Sequence, residues 1–219
     1  MAHVCEKFDD IGKDDPEKIY RLGIMGGTFD PIHMGHLVCA EQARDALKLD
    51  GVIFMPAGNP VFKKHVKVSD AAHRVAMCKE ATRDNPHFDV STLEVDREGD
   101  TYTVDTLEAL REYFPPNVKL YFIAGADAIA SLPEWRDAHR LSHLASFVGL
   151  NRPRSANLQS PQAMQTLKAA GFRTLFVEAP LFELSSSDIR KRILGNRSVR
   201  YLIPPAVLEY IDSVGLYGD

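Results

Sequence analysis

Six short apolar runs alternate with segments of helical spacing, and that alternation narrows the fold more than any other feature. The runs cover residues 19–25, 52–55, 88–95, 118–123, 146–150 and 172–177. Helical spacing falls at 37–49, 69–82, 104–114, 134–144, 161–170, 187–194 and 205–214. Runs without polar alternation, such as Val52 to Met55, suit strands buried on both faces. Strands separated by helices pair in parallel through right-handed crossovers. The expected product is one doubly wound, Rossmann-like α/β domain, a single parallel sheet with helices on both faces. Ligands of such sheets bind outside the carboxyl ends of the strands, where the strand order reverses.

Composition closes off other classes. The chain has 219 residues, 45% of them apolar, with 26 Lys and Arg against 30 Asp and Glu. A net charge of −4 provides no bulk attraction for nucleic acid, so any anion must be held by a local site. Three scattered cysteines form no disulfide or zinc pattern. No uncharged stretch approaches the ~20 apolar residues that span a bilayer. The expected location is the cytoplasm, without nucleic acid or membrane partners, and a homo-oligomer stays open. Residues 1–18 are dense in charge and read as a mobile tail, leaving one domain over 19–219.

The first strand runs into Gly26-Gly27-Thr28-Phe29-Asp30-Pro31-Ile32-His33-Met34-Gly35-His36-Leu37. Paired glycines let backbone turn tightly against a ligand. The helix that follows offers unpaired N–H groups and the positive end of its dipole, which suits phosphate. Neither GxGxxG nor a Walker A lysine is present. His33 and His36 stand three positions apart and can share one side of the first turn. Near the other end, Leu184-Ser185-Ser186-Ser187-Asp188-Ile189-Arg190 brings hydroxyls and a guanidinium to a helix start, with Ser186 or Ser187 as cap.

Together these two segments resemble the HxGH-type nucleotidyltransferases, and within them the bacterial nicotinate-nucleotide adenylyltransferases. Further matches at Pro56–Lys64, Asp100–Leu107 and Ile123–Trp135 extend the resemblance over most of residues 20–217. It implies adenylyl transfer from ATP to nicotinate mononucleotide, giving deamido-NAD and pyrophosphate in NAD biosynthesis. It implies His33, His36 and Arg190 as catalytic residues. It implies that Gly26, Gly27, Thr28, Phe29, His36, Gly125, Asp127, Ser186, Ser187 and Arg190 hold ATP. It implies that Lys63, Thr101, Tyr102, Thr103 and Trp135 hold the mononucleotide. Mg²⁺ is expected on the ATP phosphates, with no protein metal site. The family's Asn-Pro-Pro-His-Lys segment is here Asn59-Pro60-Val61-Phe62-Lys63, so either Lys63 or Lys64 faces the site. A preference for nicotinate over nicotinamide mononucleotide is implied by the resemblance alone.

Three rivals carry less. A sibling transferase for phosphopantetheine, glycerol phosphate or FMN does not call for the middle segments or for Trp135; one for nicotinamide mononucleotide would share them. A non-catalytic nucleotide sensor has no need of His33, His36, Ser187 and Arg190 together. A nicotinamide dehydrogenase would carry GxGxxG and an acidic ribose partner ~20 residues on.

Overall fold

The central strand, β1 (Tyr20–Gly27), shows how one sheet serves two cores. Successive side chains point to opposite faces, so Leu22 and Ile24 go one way and Met25 the other, all buried. The computed structural model describes residues 3–60, 68–151, 160–180 and 184–218. In it β1 pairs in parallel with β2 (Gly51–Pro56) on one side and β6 (Val118–Gly125) on the other. Outward from β2 lies β4 (Phe88–Val90); outward from β6 lie β7 (Ser146–Asn151) and β8 (Thr174–Glu178). The six strands are all parallel, and in sequence order they run 3-2-1-4-5-6. This is the doubly wound order with its reversal between β1 and β6.

On the Met25 face the sheet is covered by α1 (Met34–Leu47), α2 (Ala71–Thr82), α7 (Ser186–Leu194) and α8 (Pro205–Val214). Ala40, Ala43, Met77, Cys78, Ile189 and Val207 reach that core. On the Leu22 face lie α3 (Thr103–Tyr113), α5 (Ala138–Leu144) and α6 (Pro161–Ala169), contributing Leu107, Leu110, Leu141 and Leu167. The helix expected over 134–144 is broken. A 3-10 turn at Leu132–Glu134 is followed by an extended Trp135 and then by α5. The run expected as a strand to residue 95 ends at Val90. A short α4 (Ala126–Ala130) and a two-residue parallel ladder, β3 (Asn59–Pro60) with β5 (Asp100–Thr101), carry no periodic signal at that length.

Within the segment expected as a mobile tail, the described residues 3–18 pack against the domain. Val4, Cys5 and Phe8 are buried in the Leu22-side core. The Phe8 ring lies 2.1 Å from where a Cβ on Gly51 would sit, so it fills space that only glycine leaves. The Glu6 and Lys7 amides donate to Asp89 Oδ2 at 2.7 and 2.8 Å, and Asn117 Nδ2 donates to the Gly12, Asp15 and Lys18 carbonyls. Three apolar side chains scattered among charges show no period, and their burial together with these backbone contacts leaves no signal along the chain.

Candidate active site

The chain leaves β1 through Gly26 and Gly27 at the reversal point of the sheet. A Cβ on Gly27 would lie 2.8 Å from the Phe29 ring, so the turn requires glycine there. Phe29 is held at φ 51 with its ring buried, an uncommon conformation for a side-chain-bearing residue. The chain then enters α1 with His33 as N-cap. The His33 amide donates to His36 Nδ1 at 3.2 Å. That bond makes Nδ1 the acceptor, so neutral His36 carries its proton on Nε2. The two imidazoles stack at 3.7 Å, and the Phe29 ring meets His36 edge-on at 5.0 Å. The three-residue spacing thus brings the histidines together, with His36 held in one orientation.

The start of α7 is bolted to this same turn from 155 residues away: Ser186 Oγ donates to the Pro31 carbonyl at 2.9 Å. Arg190 Nη1 donates to the Asp30 carbonyl at 2.5 Å and lies 3.7 Å from Asp30 Oδ2, while Nη2 donates to Ser187 Oγ at 3.3 Å. The helix cap is Ser185, which accepts from the Asp188 amide, and neither Ser186 nor Ser187 takes that role. Ser186 is spent on the Pro31 carbonyl instead.

Two residues behind the turn carry no sequence signal of their importance. Arg74, on α2, is 2% exposed and donates to the Ser69, Thr28 and Gly58 carbonyls at 3.0, 3.0 and 3.3 Å. One guanidinium therefore ties the β1 and β2 loops to α2. Tyr217 donates to the buried Asp30 Oδ1 at 2.6 Å, and the Ser69 amide donates to Oδ2 at 3.3 Å. Burial and the Asp30 contact push the Tyr217 phenol well above its ordinary value, so it stays a donor. A cleft of about 840 Å³ opens beside Asp30, Ser69, His73, Ser187, Arg190 and Lys191; neither His33 nor His36 lines it.

On the other side of the reversal point, β6 delivers Gly125 and Asp127. The β1–β6 ladder ends with Met25 opposite Ile123, and β6 runs two residues further to Gly125, which pairs with Leu150 of β7. Asp127 is exposed and folds back so that its Oδ1 lies 2.5 Å from where a Cβ on Gly125 would sit. Further along, Trp135 donates Nε1–H to Ser131 Oγ at 3.0 Å and meets Phe122 edge-on, which fixes the indole plane. Trp135, Thr101, Tyr102 and Thr103 line one cavity of about 290 Å³. The start of α3 opens there, and Tyr102 at its N-cap provides no side-chain hydrogen bond to the first-turn amides. Lys63 and Lys64 lie outside the described residues.

Sequence reasoning missed four further members of this wall, the apolar Val104 and Leu141 and the charged Glu134 and Arg136. Below it Glu94, 9% exposed, accepts from Thr106 Oγ1 at 2.8 Å. Burial lifts its carboxyl from 4.5 to about 7, against the opposing pull of Thr106 and Arg97. Among the described residues no group of three or more His, Cys, Asp or Glu could hold a metal ion, and no helix is long and apolar enough to cross a membrane.

At the reversal point of a parallel sheet in 3-2-1-4-5-6 order, stacked histidines at the start of the first helix and a serine-arginine helix start thus meet on one turn. The cytidylyltransferase-like family model matches residues 24–192, and the chain belongs to that family. Within it the chain is 45% identical over 202 residues to a Thermoanaerobacter protein described as "Probable nicotinate-nucleotide adenylyltransferase", covering 92% of this chain and 96% of that one. A Moorella thermoacetica protein of the same description is 47% identical over 198 residues, covering 90% and 91%. The chain is a member of the nicotinate-nucleotide adenylyltransferase family. Among solved structures it resembles in fold the Plasmodium falciparum nicotinic acid mononucleotide adenylyltransferase complexed with NaAD. That likeness has a TM-score of 0.70 at 19% identity and covers 90% of this chain and 97% of that one.

Proposed function

We infer that this enzyme transfers the adenylyl group of ATP to nicotinate mononucleotide, giving deamido-NAD and pyrophosphate, as a cytoplasmic step of NAD biosynthesis. The observation that carries the reading is the bolting of Ser186 and Arg190 onto the turn that presents His33 and His36. The acceptor is a phosphate already anionic at neutral pH, so the reaction needs no general base. What it needs is alignment at the α-phosphorus and neutralisation of the charge that moves onto pyrophosphate.

The residues suit that task. In this reading His36 Nε2–H donates to a phosphate oxygen. Arg190, with Ser187 beside it, receives the outer phosphates, and Gly26 and Gly27 let backbone approach them. Asp127 accepts from the ATP ribose hydroxyls at the edge of β6. Trp135 stacks on the pyridine ring, and the first-turn amides of α3 after Tyr102 meet its carboxylate. Mg²⁺ arrives as the counter-ion of ATP. Both Asp30 carboxylate oxygens are already engaged by Tyr217, the Ser69 amide and Arg190, so Asp30 orients Arg190 instead of holding a metal.

The test is pyrophosphate release from ATP and Mg²⁺ with nicotinate mononucleotide. Release with this acceptor, absent with phosphopantetheine, glycerol phosphate and FMN, is the expected result. ATP binding without release would turn the reading toward a nucleotide sensor.

A further inference from the structure

We propose that the Arg136 side chain is what lets the mononucleotide pocket tell a carboxylate from a carboxamide. The proposal rests on the reading of the 290 Å³ cavity as the nicotinate site. Nicotinate and nicotinamide rings have nearly the same shape. They differ by one negative charge, and by one oxygen in place of an NH₂. The pyridinium charge is common to both and cancels in any comparison. Discrimination must therefore come from charge or from directional donors.

Among the described residues, the charged side chains lining the cavity are Arg136 and Glu134. The Arg136 guanidinium carbon lies 4.2 Å from the centroid of the Tyr102 ring. Stacking on an aromatic face holds a guanidinium in place while its N–H edge stays available. The ring beneath it belongs to the N-cap of α3, so the cation sits over the helix start that the substrate carboxylate would approach. Among the described residues, Asp137 is the only carboxylate within ion-pair range of Arg136, at 3.9 Å from Nε, and it lies closer to Arg140, at 3.5 Å. Arg136 is thus not neutralised by a tight pair.

The α3 amides discriminate less. An N–H can meet one oxygen of a carboxylate or the single oxygen of an amide. Glu134 works against the acid, so without Arg136 the net charge lining the described cavity would turn negative. The Arg136 side chain is 54% exposed, so water and salt screen its effect and hold it to a modest factor.

The test measures kcat/KM for both mononucleotides in wild type, R136Q and R136K, by pyrophosphate release. The expected result is a fall of about tenfold in the acid-to-amide ratio for R136Q, with R136K between. The wild-type ratio should also shrink as salt rises, while the R136Q ratio stays flat. General damage lowers both rates and leaves the ratio alone, so the ratio isolates this role. An R136Q ratio within twofold of wild type overturns the proposal, and so does a wild type that accepts both substrates equally. A wild type that releases pyrophosphate with neither acceptor overturns the nicotinate reading itself, and this proposal with it.

Discussion

Replacing Glu94 by glutamine should stabilise the protein at alkaline pH and do little at acid pH. The carboxyl is 9% exposed, and burial raises it from 4.5 to about 7 in the folded state. The native protein therefore keeps this proton to a higher pH than the unfolded chain does. Below pH 4.5 both states hold it and nothing is lost. Between 4.5 and 7 the unfolded chain ionises first, and stability declines as pH rises. At 1.36 kcal/mol per pH unit, the decline amounts to about 3 kcal/mol and levels off above pH 7. Glutamine keeps an oxygen to accept from Thr106 Oγ1 and cannot ionise. Its extra NH₂ costs about 1 kcal/mol if left without a partner, but that cost does not vary with pH. Urea unfolding of wild type and E94Q from pH 4.5 to 8, at fixed ionic strength, yields the difference directly. Other titrating groups cancel in it. The difference should move in favour of E94Q by about 3 kcal/mol across that range. A difference independent of pH would mean that Glu94 ionises normally in the folded protein, and the reasoning from its burial would fail.

Three further outcomes follow from the same geometry. Phe8→Ala empties the space against Gly51 and should cost about 3–5 kcal/mol in denaturant unfolding; a loss under about 1 kcal/mol would return residues 3–18 to the role of a solvated tail. His36→Ala should lower kcat for pyrophosphate release about 10²-fold or more, because it removes an oriented donor, and an unchanged kcat would remove His36 from catalysis. Tyr217→Phe leaves Asp30 Oδ1 buried without its 2.6 Å donor and should cost about 1–3 kcal/mol, with kcat falling through Arg190 more than the KM for nicotinate mononucleotide rises; equal stability in the two proteins would count against the Asp30 contact.

The sheet was legible because its strands are buried on both faces and its helices are long enough to repeat. Val52 to Met55 admits few other readings, and the six runs fall on the six strands. The errors lie where a local pattern is short. The helix expected over 134–144 breaks after Glu134, because Trp135 is extended and its indole bonds back to Ser131. At the site, the three-residue spacing of His33 and His36 sufficed to predict their meeting, since both lie within one turn. The spacing of Ser186 and Ser187 did not identify the cap, because Ser185, Ser186 and Ser187 are equivalent by type. Only the Pro31 carbonyl, far away in sequence, makes them different.

What sequence could not reveal is the back of the site. Arg74, Asp30 and Tyr217 carry no local sign of their contacts in the chain, yet Arg74 and Asp30 are buried and the half-buried Tyr217 donates to Asp30. A buried guanidinium without partners costs several kcal/mol, so its three carbonyl bonds are a condition of folding and not an ornament of it. Those bonds hold Thr28 and Gly58, the outgoing backbone of the two loops that frame the reversal point. Asp30 does the same for Arg190, with its own orientation set by Tyr217 and Ser69. Long-range polar partners leave no period and no local motif, which is why this layer escapes a reading along the chain. A reaction that works by alignment needs such a layer. The α-phosphorus passes from tetrahedral to an in-line trigonal bipyramid as charge moves onto the leaving oxygen, and donors free to follow the substrate would bind both states alike and lower no barrier. The stacked imidazoles and the bolted arginine are held by the protein before substrate arrives.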